Sequence, residues 1–210
     1  MSAPDGLALP GELGPITVPI ARFRDRVPDD AWPPLPEGGV LWRRDVFAVA
    51  DAWRNGTCSS RQLTAVTLMW GFGRTAYGPY RTGVVLSGDP DGARLDIGLE
   101  PLRAAHLSEN DLRAIYVSFC NRQAADVRGL GPAFFTKLLY FAGYRRGTGG
   151  VQPLILNKIV AQRLPDEAGP VAQHGGRLGD GARRSGSSTY SGPPCRASRP
   201  STAASQRVSK

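Results

Sequence analysis

The chain has 210 residues, 41% of them hydrophobic and 21% charged, with a net charge of +8, which suits one ordinary domain with tails and points toward an anionic partner such as nucleic acid. Cys58, Cys120 and Cys195 are far apart and odd in number, and His106 and His174 are the only histidines, a pattern against a disulfide scaffold or a cysteine or histidine metal centre. The N-terminus lacks a basic-then-apolar signal pattern, and no apolar run reaches the ~20 residues needed to span a bilayer, so a soluble cytoplasmic protein with no metal and no cofactor is expected.

Three regions are predicted: a Pro/Gly-rich segment over 1–40, a helical domain over 41–165 and a basic tail over 166–210. The charge is unevenly placed, since residues 1–165 carry +4 and the tail carries the other +4. In the first segment Ile16, Val18, Ile20 and Phe23 predict a short extended stretch lying on the core, the remainder being ordered only by docking. From Leu41 the pattern turns helical, with Val46, Phe47, Val49, Ala50 and Trp53 on one stripe and Asn55-Gly56 as the stop. Ser59 or Ser60 caps a second helix carrying Leu63, Val66, Thr67 and Trp70.

That helix runs into Trp70-Gly71-Phe72-Gly73, followed by Tyr77-Gly78-Pro79-Tyr80-Arg81. Two readings of this cluster stand: a loop packed under the core, or part of a cleft in which Trp70, Phe72 and Tyr77 stack on an extruded base. Val84-Val85-Leu86 and the turn signal Asp89-Pro90-Asp91-Gly92 fit a small hairpin or an irregular loop over 83–98. Ser108 starts the next helix, with Asp111 as its reciprocal cap and Leu112, Ile115, Tyr116 and Phe119 as its buried stripe.

The stretch that concentrates chemistry is Val127 to Leu164. Gly129-Leu130-Gly131 forms a turn, and Pro132 fits the first position of a strongly apolar helix, where its missing N–H costs nothing. The unpaired N–H groups of that first turn could hold a phosphate, and Arg145 and Arg146 at the far end suit the helix dipole or a further phosphate. Lys137 stands among Phe134, Phe135, Leu138, Leu139, Phe141 and Ala142. It reads either as a lysine snorkelling from a core helix or as an amine whose desolvation makes it a nucleophile able to form a Schiff base. After the glycine-rich connection 147–150, Asn157 is a natural cap for a helix from Lys158 to Leu164. Past that point the tail holds one leucine and no isoleucine, phenylalanine or tryptophan, a composition that predicts disorder.

Gly-hydrophobic-Gly before a helix resembles the helix-hairpin-helix element of DNA glycosylases. The pairing of Thr136 to Ala142 with Pro153 to Leu164 looks most like the 8-oxoguanine branch, and the resemblance covers residues 107–164. It implies a mainly α fold with a helix-hairpin-helix element, acting as a monomer on double-stranded DNA that carries a damaged base and associated with the nucleoid when bound. It implies that Gly129, Leu130 and Gly131 hold the backbone and that Lys137 attacks the sugar C1′. Lys137 matches the archaeal-type placement of the lysine, whereas the eukaryotic-type position is Ala133. Asn157 falls where the family has an assisting aspartate. A carboxylate ~4 Å from a unit positive charge contributes about 4 kcal/mol at an effective dielectric near 20, a factor of roughly a thousand in rate. Asn157 and the missing apolar continuation therefore describe a relative cut short at its C-terminus and impaired in excision or in the accompanying AP-lyase step. The alternatives are a non-catalytic helix-hairpin-helix DNA-binding protein and a helical protein with no role on DNA.

Overall fold

In the computed structural model the described residues are 14–104, 106–120, 122–145 and 151–156. They are mainly helical. The α-helices among them are α1 (Ile20–Arg24), α2 (Arg43–Arg54), α3 (Ser60–Phe72), α4 (Gly78–Ser87), α5 (Ala93–Leu99), α6 (Glu109–Ser118) and α7 (Pro132–Gly143). A two-residue strand β1 (Ile16–Thr17) pairs antiparallel with β2 (Val40–Leu41), placing Ile16 opposite Leu41 and Thr17 opposite Val40. The expected tail, the connection 147–150 and the helix from Lys158 lie outside the described residues.

Helix α3 is the hub. Leu63, Ala65, Val66, Leu68 and Met69 are buried together with Thr64 and Thr67, and a helix apolar around most of its girth has to be covered on every side. Helices α2, α4, α5 and α7 supply that cover. The start of α3 is fixed by a reciprocal cap: Ser59 Oγ accepts the Gln62 N–H at 3.1 Å, and Gln62 Oε1 accepts the Ser59 N–H at 2.9 Å. Ser60, the other cap candidate, instead accepts the Trp53 indole N–H at 2.9 Å and donates to Asp96, tying α2 and α5 to α3. Helix α6 begins with the predicted Ser108–Asp111 pair, in which the Ser108 N–H and hydroxyl both donate to the Asp111 carboxylate and hold it below its ordinary range.

Two expectations change. Residues 83–98 are neither a hairpin nor an irregular loop, because Val85, Leu86, Leu95 and Leu99 are buried on the helices α4 and α5. Valine and glycine lower helix propensity, but burial of a whole face overrides it. The turn between those helices is where the sequence predicts it. The Gly92 N–H reaches the Asp89 carbonyl at 3.2 Å, and the buried Asp89 carboxylate accepts from Arg94 N at 3.2 Å and Leu95 N at 2.9 Å. The second change is in the stretch predicted as extended: Ile16 lies in β1, while Ile20 and Phe23 belong to α1. Val18, Phe23, Val27 and Ala31 are buried and form part of the one core.

Three arginines close the far end of the helical layer. Arg54 of α2 donates to the Ala142 carbonyl at 2.6 Å and to Phe141 O at 3.4 Å, capping α7. Arg145, just past α7, donates to Arg103 O at 2.6 Å and Leu102 O at 3.3 Å. Arg103 returns to α2, donating to Trp53 O at 2.6 Å and Arg54 O at 2.7 Å. Each guanidinium thus meets terminal carbonyls of another element, where the helix dipole favours a cation.

Candidate active site

Helix α7 starts as the sequence predicts, with Gly131 as N-cap and Pro132 in the first position. The two turn glycines have different reasons to be there. Gly129 has φ +89°, and a Cβ on it would come within 3.3 Å of Val84 and 3.4 Å of Val85 on α4, so the fold itself demands glycine. Gly131 has φ −78°, and a Cβ there would meet nothing within 4 Å. Leu130 is turned into the core at 4% exposure, which leaves its backbone rather than its side chain for any outside contact.

Lys137 lies nearly two turns further along, half-buried and beside Gly71 of α3. Opposite it is Gly71, where a Cβ would stand 3.0 Å from Phe134 and 3.4 Å from Lys137 Cδ. On one side Phe72 packs against Phe134 with ring centroids 4.2 Å apart, and on the other Trp70 meets Phe141 edge-on at 5.2 Å. The lysine stem therefore runs beside the Phe72–Phe134 pair, with Gly71 leaving room for it. Its ammonium donates to the Ala133 carbonyl at 2.7 Å and lies 4.7 Å from the Phe134 ring centre. Burial alone pulls its pKa below the ordinary lysine value, with no carboxylate contributing. Gly71, whose bare Cα lies beside the Lys137 stem, is a site residue that motif reading alone does not reveal. The local signal was the Trp-Gly-Phe-Gly run, whose Gly71 is helical here.

The three aromatics predicted to share a base pocket each pair with a different ring. Trp70 and Phe72 pack against different rings of α7, while Tyr77 is 54% exposed and pairs with Tyr80. A cavity of about 410 Å³ is lined instead by Val18, Ile20, Arg24, Trp32, Leu35 and neighbouring residues of the N-terminal segment. Arg145 is engaged by main-chain carbonyls, so a phosphate would have to share it; Arg146 and Asn157 lie outside the described residues.

The segment 151–156 runs back along α7. Gln152 Oε1 accepts the Arg145 N–H at 3.0 Å, Pro153 fits the space left by Gly143, and Leu156 N–H donates to Thr136 Oγ1 at 3.1 Å. The chain is thus delivered to the turn of α7 that carries Lys137, one residue before position 157. Among the described residues no cluster of histidine, cysteine, aspartate or glutamate could hold a metal ion, and no helix is long and apolar enough to cross a membrane.

No curated protein and no solved structure matches the chain. A family model does match, over residues 14–192, so the likeness extends in both directions beyond the 107–164 stretch that carries the motifs. The chain belongs to that family, whose description is Putative 8-oxoguanine DNA glycosylase OGG-like protein.

Proposed function

We propose that the protein is a base-excision glycosylase acting on 8-oxoguanine in double-stranded DNA, with Lys137 as nucleophile and an accompanying lyase step. The observation that carries this reading is the setting of Lys137: an amine whose cationic form is disfavoured by burial, with no carboxylate partner among the described residues, in a family described by that activity. Arginine dominates the basic residues, and only Lys137, Lys158 and Lys210 are lysines. A guanidinium stays protonated and cannot attack carbon, so the candidate amines are few.

In the proposed reaction the base is extruded from the stack, and the Nζ lone pair displaces it at C1′. The glycosidic electron pair leaves on the base nitrogen. Opening of the sugar ring to O4′ then gives an iminium at C1′ and Nζ, the species from which a strand-cleaving elimination follows. The 129–131 turn acts as the hairpin of a helix-hairpin-helix element that grips the phosphates with backbone amides. Gly131 fits this role because nothing inside the fold requires a bare Cα there, whereas close approach of a backbone phosphate does. Asn157 takes the position of the family's aspartate without its charge, so the rate is lower than a carboxylate would give.

A second reading, a DNA-binding module that does not catalyse, is favoured by one observation: the Lys137 ammonium is folded back onto the Ala133 carbonyl. Borohydride separates the two. With a duplex containing 8-oxoguanine, an active enzyme gives a covalent adduct by reduction of the iminium to a secondary amine, and Lys137→Ala gives none. Binding without an adduct in the wild-type protein supports the non-catalytic module.

A further inference from the structure

Tyr77 and Tyr80, at the start of α4, are 54% and 50% exposed, and their rings face each other at 5.2 Å with a tilt of 35°. The two rings leave a paired aromatic face to solvent beside the turn before α7. Arg81 connects this pair to the turn before α7. Its guanidinium lies 5.8 Å from the Tyr77 ring centre and donates to the Gly129 carbonyl at 2.9 Å. Val84 and Val85, further along the same helix, pack against the bare Cα of Gly129. The tyrosines and the turn are therefore fixed relative to each other.

Two further arginines flank α4 at its ends. Arg74 is exposed in the preceding loop, and Arg128 is exposed beside Gly88 at the other end of α4. Helix α4 itself has no acidic residue, and the acid that follows it, Asp89, is buried and bonded to backbone amides. A flat aromatic face bordered by arginines complements a nucleic-acid strand, whose bases stack on rings while its phosphates meet guanidinium groups.

We propose that Tyr77 and Tyr80 form a stacking platform for an unpaired base of the DNA, distinct from the Lys137 site and held in register with the 129–131 turn by Arg81. This rests on the DNA reading above and deepens it, because it names unstacked or locally unpaired DNA as the preferred partner. Tyr77 thereby leaves the base pocket and joins Tyr80 outside it.

Fluorescence anisotropy tests the platform with a fully paired duplex and the same duplex carrying a single-base bulge. The wild-type protein binds the bulged duplex more tightly. The double variant Tyr77→Ala/Tyr80→Ala loses about tenfold or more on the bulged duplex, in keeping with the loss of a stacked base, and stays within about twofold on the paired one. The double variant Tyr77→Phe/Tyr80→Phe keeps the preference, because stacking needs the rings and not the hydroxyls. Equal losses on both duplexes, no loss on either, or a phenylalanine pair as weak as the alanine pair would overturn the platform while leaving DNA binding in place. An alanine pair that no longer folds would contradict the surface placement and overturn it too. A wild-type protein that binds neither duplex would overturn the platform and the DNA reading together.

Discussion

The two ends of α7 are built on different principles. At the C-terminal end the carbonyls of Phe141 and Ala142 are held by Arg54, and Phe141 is enclosed by Phe47, Trp70 and Tyr140. At the N-terminal end Gly131 opens onto empty space, and Lys137 is held by one carbonyl of its own helix. Buried aromatics and charge-assisted bonds make the first end a stability element. The second end leaves an amine and a bare backbone position unused by the fold, which is what a site for an outside partner requires. Stability and function should therefore separate along this one helix.

The largest expected effect is at the closed end. Phe141→Ala should cost about 3–5 kcal/mol in denaturant unfolding, since it empties a fully enclosed ring site. Arg54→Met comes next, at about 1–3 kcal/mol, because it leaves terminal carbonyls without their charged donor. The adduct yield of Arg54→Met, counted per folded molecule, should stay close to wild type. A large selective loss of adduct formation would show that the two ends are not separable.

The glycine turn sharpens the comparison within a single motif. Gly129→Val should cost about 1–3 kcal/mol, because it forces a β-branched residue to positive φ beside Val84 and Val85. Gly131→Val should change stability by less than about 1 kcal/mol and weaken duplex binding several-fold. Unchanged affinity in folded Gly131→Val would remove the turn from the DNA contact.

The smallest effect concerns Lys137 and pH. Its folded pKa lies below the ordinary value of 10.5, so the folded state disfavours the cation. The native protein therefore gains stability as pH rises from the lowered folded value toward 10.5, and carries the full penalty below that window. Lys137→Met should raise the neutral-pH stability by no more than about 1 kcal/mol, since the ammonium keeps a hydrogen bond, and the gain should vanish at strongly alkaline pH. Thermal melts of both proteins across that range check the sign. Adduct formation should likewise rise with pH as the neutral amine becomes more populated.

Much of this was legible in the residues, for physical reasons that differ between elements. Local chemistry announced a cap at Ser59 or Ser60, Ser108–Asp111, Pro132 and the Asp89–Gly92 turn, since caps and turns are set by the few residues that form them. Helices α4 and α5 were not legible, because glycine and valine argue locally against a helix and only the cover they give α3 decides for it. Lys137 stood out as the one charge in an apolar run. Its neighbours across the interface, Gly71 with the rings of Trp70 and Phe72, could not be paired with it without knowing how α3 crosses α7. The arginine ring was hidden for the same reason: Arg54, Arg103 and Arg145 are distant in sequence and meet only at converging helix ends.

The central claim is that one amine, Lys137, carries the chemistry. With three lysines in the chain, the borohydride-reduced adduct can be digested and its DNA remnant assigned by mass spectrometry to a single residue. The remnant is expected on Lys137, within the peptide that spans α7. A remnant on Lys158, Lys210 or the N-terminal amine, with Lys137 unmodified, would contradict it.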